Sequence, residues 1–191
     1  MQTEQILDSI LAMDSAGVRA TLDAGVSPSA EVAGQPLLHW ALSVRAEDIF
    51  ELLVSLGADV NGVGIEGESV LMVAAYQAMT SSISLLLRAD ANVNYVDGAG
   101  RTALMYGARS GDCESVEILL GSGASVAVVD QHGCNAAHWA MLDADNVAVL
   151  ALLIERGVPL VAADSGPQPV HLAYAEKLGR QRCAQLLRSM Q

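Results

Sequence analysis

Apolar positions in residues 97–126 recur with the spacing of two short amphipathic helices. Leu104 and Ala108 lie one helical turn apart, and Val116 and Leu119 lie on a second apolar stripe after a polar break. An apolar residue at every third or fourth position places these side chains on one face of a helix. The pattern therefore predicts two helices, each with one face to bury.

Capping and turn-forming residues bound both predicted helices. Thr102 can cap the first helix, because its hydroxyl can accept a hydrogen bond from an unpaired amide of the first turn. Gly111 and Gly123 can end the two helices, since glycine adopts the left-handed conformation at low cost. Helices of this length are marginal on their own in water, so neither is expected to be stable without neighbours.

The same pattern recurs along the chain at a fixed interval. An evenly spaced glycine marks each period, at Gly34, Gly67, Gly100, Gly133 and Gly166. Five positions after each glycine stands one of a second set, His39, Met72, Met105, His138 and His171. Two positions further on, every copy has alanine or glycine. Agreement across several columns indicates an internal repeat rather than a chance spacing of glycines.

The second helix of each copy adds two apolar columns. The first column contains Phe50, Ile83, Val116, Leu150 and Cys183. The second column contains Leu53, Leu86, Leu119, Leu153 and Leu186. The last two copies need a one-residue insertion between their helices to keep these columns aligned. With that insertion, the second helix presents one apolar face in every copy.

In these columns the chain resembles the ankyrin repeat family. The family pattern has a turn with Asp and Gly, a first helix opening T-P-L-H-x-A-A, an apolar second helix with a Leu pair, and a closing G-A-D-V-N. Residues 57–61 match the closing sequence in full, and residues 90–94 and 123–126 match it in part. Residues 36–41 and 168–173 are diverged forms of the first-helix sequence. The resemblance covers nearly the whole chain.

The resemblance implies an all-α fold, an ankyrin-repeat solenoid of stacked helix-turn-helix units with short hairpin turns. Residues 1–191 are then expected to form a single ankyrin-repeat domain. It would contain about six repeats including the two caps, with the bounds 1–27, 28–60, 61–93, 94–126, 127–160 and 161–191. The polar outer side of the final predicted helix suits a cap that no further repeat covers.

Composition and charge narrow the class of partner. Apolar residues make up 52% of the chain and aromatic residues only 4%, which suits a core of small aliphatic side chains between closely packed helices. The formal net charge of −12 argues against nucleic acid and against anionic membranes, because phosphate would be repelled. Residues 1–100 have 13 acidic and 3 basic residues, a net charge of −10. This charge is compatible with a basic protein partner or with solubility alone.

Cysteine usage and hydropathy bear on the compartment. The three cysteines, Cys113, Cys134 and Cys183, are odd in number and none forms a C-x-x-C pair, which favours a reducing compartment. No signal peptide is recognisable, so we expect a cytoplasmic protein. Residues 69–87 contain no charged side chain, but polar side chains interrupt them where the repeat places a turn. We therefore predict two helices there, and no membrane span.

Three histidines are the strongest candidates for a metal or catalytic site. His39, His138 and His171 occupy one repeat column, so neighbouring members are expected about 10 Å apart, the distance between packed helices. Zinc ligands must each lie about 2 Å from the metal, so shared ligation is not expected. The family resemblance implies a structural role instead, in which the imidazole hydrogen-bonds the hairpin to the helix. We predict no metal, no cofactor and no catalytic residue.

Aromatic residues follow the histidines in the next column. Trp40, Tyr106 and Trp139 could form an aromatic stripe on a binding face, since Trp and Tyr are common anchors of protein interfaces. The family commonly has an apolar residue there that packs between repeats. We expect both tryptophans to be core residues and leave Tyr106 open.

The resemblance implies a recognition surface on the concave side, formed by hairpin tips and the exposed ends of the first helices. Transferred to this sequence by position, the predicted partner-binding residues are Glu66, Glu68, Tyr76, Gln77, Arg101, Tyr106, Arg109, Ser110, His132 and Asp143. They include acidic, basic and aromatic side chains, so the surface is not a groove of one charge.

The sequence predicts a protein–protein interaction module that binds a partner protein through this concave face, as a scaffold or adaptor. An alternative is an inhibitor or immunity-like protein that blocks a basic enzyme or toxin, which would suit a small acidic chain. An enzyme is a third hypothesis, disfavoured because no paired acid and base, nucleophile motif or metal set is present. We expect a monomer in the absence of its partner.

Overall fold

The computed structural model describes residues 2–160 and 170–190, of which 54% lie in helices and very few in strands. One short β-hairpin joins antiparallel strands, with Glu31 opposite Pro36 and Val32 opposite Gln35. The elements are α1 Gln2–Leu11, α2 Ser15–Asp23, β1 Glu31–Val32, β2 Gln35–Pro36, α3 Leu37–Ser43, α4 Glu47–Ser55, α5 Val70–Tyr76, α6 Thr80–Arg88, α7 Ala103–Ser110, α8 Cys113–Gly121, α9 Ala136–Trp139, α10 Val147–Glu155, α11 Val170–Lys177 and α12 Gln181–Ser189. The predicted all-α repeat fold is confirmed.

The predicted helix boundaries between α7 and α8 follow from local hydrogen bonding. Thr102 caps α7, and its hydroxyl accepts from the Met105 N–H. Gly111 ends α7 with a φ of 81°, in the left-handed region. Asp112 then caps α8, and its carboxylate accepts from the Ser115 N–H at 2.8 Å. The two helices therefore meet at a tight turn, as the glycine and threonine positions predicted.

Hairpin glycines of the repeat share one backbone conformation. Gly34, Gly67, Gly100 and Gly133 have φ values of 75°, 84°, 82° and 74°. At Gly100 a side chain is also excluded by space, because a Cβ there would lie 2.9 Å from the Cα of Asp130. The fifth glycine of this column, Gly166, lies outside the described residues, as do residues 168 and 169 of the predicted last first-helix motif.

Close contacts divide the chain into two compact units. Unit 1 comprises Met1–Ala74 and Thr80–Asn92, and unit 2 comprises Ala75–Met79 and Val93–Gln191. In unit 1, α1 packs on α2 and α3, while α4 packs on α2, α3 and α6. In unit 2, α7 packs on α8 and α9, α10 packs on α8, α9 and α12, and α11 packs on α9 and α12. That the whole chain forms one domain stays a prediction.

Second helices bury a stripe at three equivalent positions, of which the last two are apolar in each helix and the first is serine in two of them. In α4 these are Ile49, Phe50 and Leu53, each at most 1% exposed. The later stripes are Ser82, Ile83 and Leu86 in α6, Ser115, Val116 and Leu119 in α8, and Val149, Leu150 and Leu153 in α10. Burial of such stripes supplies most of the stabilisation of short helices.

The predicted alignment of the last second helix is wrong by one residue. Helix α12 buries Cys183, Ala184 and Leu187, whereas Leu186 is only half-buried. The cause is the length of the preceding turn, since the cap of α12 is Arg180, one position later than the repeat period would place it after the α10 cap at Asn146. The last copy therefore has two extra residues between its helices, not one, and its apolar face is rotated accordingly.

Candidate protein-binding surface

Three aromatic rings lie side by side in unit 2, at the first helices of successive repeats. The ring centroids of Tyr76 and Tyr106 are 6.2 Å apart with planes at 78°, an edge-to-face contact. The centroids of Tyr106 and Trp139 are 5.3 Å apart with planes at 58°. Such contacts are favourable because the positive edge of one ring meets the negative face of the next. The rings therefore form a continuous aromatic row from α5 through α7 to α9.

Arg109, near the end of α7, contacts two of the three rings in this row. Its guanidinium carbon lies 5.4 Å from the Tyr76 ring centroid and 5.8 Å from that of Trp139. Its Nε–H donates to the Asp143 carboxylate at 2.5 Å. This hydrogen bond is the main cause of the raised pKa of Arg109, which partial burial opposes. We call these five residues the aromatic–arginine cluster: Tyr76, Tyr106, Arg109, Trp139 and Asp143.

Arg101 adds a second guanidinium to the same row. Its Cζ lies 5.5 Å from the Tyr106 ring centroid. Its Nε–H donates to Asp97 at 2.5 Å, and this carboxylate has no exposed side-chain surface. Asp97 also accepts the backbone N–H groups of Ala99 and Arg101, so it fixes the hairpin that positions the arginine.

Asp130 plays the role of Asp97 in the next repeat, at the equivalent position of its hairpin. It accepts the N–H groups of His132 and Cys134 at 2.9 Å each, and the Trp139 indole N–H at 2.9 Å. The hairpin carboxylate therefore holds the tryptophan in the row. The sequence analysis placed Trp139 in the same column as Tyr106 but not among the predicted binding residues.

Exposure separates the residues that a partner can reach from those that only support them. Tyr76 is 47% exposed and Tyr106 is half-buried, whereas Trp139 is 6% exposed. The core assignment of Trp139 is confirmed. Trp40, also expected in the core, is half-buried, and its indole N–H donates to the Val32 carbonyl at 3.2 Å.

The other predicted binding residues are spread over the two units. Ser110 and Gln77 in unit 2 are half-buried, and the Ser110 hydroxyl donates to the Gly107 carbonyl at 2.8 Å within the helix end. His132 is exposed at a hairpin tip. Glu66 is exposed and Glu68 half-buried, and both belong to unit 1. Ring contacts and ion pairs bring five of them together along the aromatic row: Tyr76, Arg101, Tyr106, Arg109 and Asp143.

Comparison with known families agrees with the repeat. Residues 38–130 match the family model of ankyrin repeats, in three copies. This part of the chain consists of ankyrin repeats. No curated protein matches it significantly. Ankyrin repeats are generally protein–protein interaction modules and are typically not enzymes.

The column histidines hydrogen-bond backbone and capping groups. In unit 1, the His39 Nε2 lies 3.2 Å from the Glu68 carbonyl of the next hairpin. In unit 2, His138 Nδ1 accepts the Asn135 N–H at 3.2 Å. The two nitrogens of His171 face the Leu160 carbonyl at 2.5 Å and Asn135 Oδ1 at 3.0 Å.

The expected separation of neighbouring column histidines is wrong for one pair. The ring centroids of His138 and His171 are only 3.8 Å apart, and the rings are stacked with a tilt of 35°. The expectation used the distance between helix axes, but side chains from both helices extend into that gap. No three His, Cys, Asp or Glu side chains among the described residues are arranged to hold a metal.

Burial dominates the protonation of these rings. It lowers the pKa of His39 and His171, and it lowers the pKa of His138 to about 4 with a further contribution from His171. Each ring belongs to a residue that is at most 3% exposed. Burial therefore favours the neutral form of the three imidazoles.

Three other features concern a groove at the last helix, the cysteines and the length of the helices. A groove of about 650 Å³ lies against α12, lined by residues that include Glu176, Arg180 and Arg188. Cys113, Cys134 and Cys183 are free thiols. Over the described ranges, every helix is too short or too polar to cross a membrane.

Proposed function

We propose that this protein is a scaffold or adaptor that binds a partner protein through its concave face, at the aromatic–arginine cluster and the adjacent hairpin tips. The observation that carries the proposal is the 47% exposed ring of Tyr76, held between an edge-on contact with Tyr106 and the guanidinium of Arg109. Interface hot spots are enriched in Tyr, Trp and Arg, and this cluster combines an exposed Tyr and a partly exposed Arg with a buried Trp.

The side chains of this surface are already held in place before a partner binds. The ring contacts and the ion pair of Arg109 with Asp143 already restrict side chains that would otherwise lose rotamer freedom on binding. The hydrogen bonds to Asp97 and Asp130 restrict the hairpins in the same way. Less entropy is therefore lost when the partner docks, and the surface can bind with little change of shape.

Charge favours a partner with a basic surface. The net charge of −10 in residues 1–100 attracts such a partner over several ångströms and raises its association rate. The same charge disfavours nucleic acid and anionic membranes as ligands. We further propose a monomer in the cytoplasm, where the three free thiols would stay reduced.

A second candidate function is inhibition of a basic enzyme or toxin. The net charge of −12 on 191 residues favours it, because an acidic inhibitor is attracted to a basic target. Affinity purification from a native extract separates the two functions. A single stoichiometric basic enzyme supports the inhibitor, whereas several unrelated partners support the adaptor.

The binding surface is tested by affinity purification with three forms of the full chain. These are the wild type, the double variant Tyr76→Ala with Arg109→Ala, and the control Glu117→Ala with Arg156→Ala. The control removes a longer, more exposed ion pair on the second helices, 3.9 Å apart. We expect the wild type and the control to retain the same partners and the cluster variant to lose them. Equal recovery by all three forms would mean that the surface lies elsewhere.

A further inference from the structure

We infer that the partner inserts an acidic side chain, an aspartate or a glutamate, against the guanidinium of Arg109. This inference rests on the proposed function and specifies the chemistry of its central contact. Arg109 has five N–H groups, and its Nε–H donates to Asp143. Its terminal NH₂ groups donate to no acceptor among the residues that the structure describes. About a third of this side chain, 32%, is exposed, so a partner can approach it.

The surrounding rings hold the guanidinium in place. Its Cζ contacts both Tyr76 and Trp139, at 5.4 and 5.8 Å from the ring centroids. The Asp143 carboxylate holds the Nε edge at 2.5 Å. A guanidinium restrained on these sides presents its terminal NH₂ pair in one orientation, and that planar pair matches the two oxygens of a carboxylate. A lysine could not present the same geometry.

A cationic side chain fits the same place poorly. The faces of Tyr76 and Tyr106 that a cation would use already have the guanidiniums of Arg109 and Arg101 over them. Asp97 is buried against Arg101, which leaves Asp143 as the carboxylate of this row that a partner can reach, and it is already paired. A second cation would therefore find no unpaired carboxylate in this row, whereas a carboxylate would find the terminal N–H donors of Arg109.

The acidic contact is compatible with a partner whose surface is basic overall. Screening confines the field of the exposed charges to about 8 Å at physiological salt. Steering by the acidic residues of 1–100 therefore depends on the overall charge of the partner. The contact at Arg109 depends on one residue at hydrogen-bonding distance.

Peptide selection on the intact chain tests the inference. Random peptides displayed on phage are selected on the wild type, and synthetic copies are measured by fluorescence anisotropy against Arg109→Lys, Asp143→Asn and the control Glu117→Gln. We expect selected peptides to share an acidic residue, whose change to the amide weakens binding about tenfold. We expect Arg109→Lys to weaken binding by a similar factor and Glu117→Gln to leave it unchanged.

The direction of the Asp143→Asn effect decides between an acidic and a basic contact. The Asn side-chain oxygen can still accept the Nε–H of Arg109 and keep the guanidinium in place, but the negative charge beside it is gone. Asp143→Asn should therefore strengthen binding of an acidic peptide severalfold, whereas it would weaken binding of a basic one. Weaker binding, or selected peptides without a shared acidic residue, would overturn the inference. If Tyr76→Ala still abolishes binding in that case, the surface stands and only the contact chemistry is wrong. Unchanged binding by Tyr76→Ala would reject the surface as well.

Discussion

At the scale of single residues, the Asn135 side chain makes hydrogen bonds that connect three segments of unit 2. Its Oδ1 accepts the Ala137 N–H at 3.1 Å and lies 3.0 Å from His171 Nε2. Its Nδ2 donates to the Pro159 carbonyl at 2.7 Å. The side chain therefore caps α9 and also joins it to the following loop and to α11. Because Asn135 is 5% exposed, water cannot easily replace these bonds.

The first prediction concerns that cap. We expect Asn135→Ala to lower the free energy of unfolding by about 2–3 kcal/mol, because it removes a cap and leaves buried groups without hydrogen bonds. Thr102→Ala is the matched control, since Thr102 only caps α7, and it should cost about 1 kcal/mol. Urea unfolding followed by circular dichroism measures both values. An equal loss in the two variants would contradict the wider role of Asn135.

The second prediction concerns acid stability. The pKa of His138 is about 4 in the folded protein and 6.5 without burial, so the unfolded chain binds the proton more tightly. The resulting stabilisation is complete above pH 6.5 and is lost as the pH falls toward 4, by about 3 kcal/mol at most. The lowered pKa of His171 acts in the same direction. Other titratable groups near this pair are Tyr174 and Asp130. The ring centroid of Tyr174 lies 5.0 Å from that of His138, and Asp130 raises the pKa of His138.

His138→Met tests this linkage, since methionine occupies the same buried column at Met72 and Met105. Unfolding midpoints measured between about pH 4 and pH 7 should fall less steeply with acid for the variant than for the wild type. The same slope in both proteins would show that His138 does not cause the acid sensitivity.

At the scale of elements, the last helix pair is the one whose register the sequence pattern did not predict. Arg180 donates from Nε to the Met141 carbonyl at 2.8 Å and from Nη2 to the Leu142 carbonyl at 2.5 Å. Asp145 accepts the N–H groups of Arg182 and Cys183, both at 2.9 Å. These bonds attach the start of α12 to the turn before α10. They set where the helix begins, and therefore which of its residues face inward.

The third prediction tests that register. Leu187 is 3% exposed, whereas its neighbour Leu186 is half-buried. We expect Leu187→Ala to cost about 2–4 kcal/mol of unfolding free energy, because it leaves a cavity, and Leu186→Ala to cost about 1 kcal/mol. Chemical unfolding of the two single variants gives the comparison. A larger loss from Leu186→Ala would restore the alignment that the repeat period predicts.

At the scale of the whole molecule, charge is the dominant property. The net charge is −12, and residues 1–100 account for −10 of it. Such a charge acts on the rate of encounter with a partner more than on the lifetime of the complex. Because exposed charges are screened over about 8–10 Å, the net charge attracts a partner without specifying which residues touch it.

The fourth prediction follows from this long-range effect. For a basic partner recovered by affinity purification, we expect the association rate to fall about tenfold between roughly 50 and 500 mM NaCl. The dissociation rate should change much less. Stopped-flow fluorescence measures the first and a chase with unlabelled protein the second. An association rate independent of salt would reject electrostatic steering by the acidic residues.

How far the sequence could predict the molecule depends on the type of feature. Helix ends followed from Thr102 and Gly111, because capping and left-handed conformations are local properties of a residue. The burial of Leu53 and Leu119 followed from a regular period. The aromatic row was predicted only in part, because Tyr76 and Tyr106 were both expected on the concave surface but their contact was not foreseen.

What the sequence alone determined is the repeated helical pair and its family, since a fixed period and its glycines depend only on local conformation and spacing. Only the tertiary structure decided which side chains meet. It stacked His138 on His171, joined Arg109 to Asp143 and rotated α12 by one residue. The physical reason is that contacts between neighbouring repeats depend on side-chain direction and turn length, which a periodic pattern does not contain.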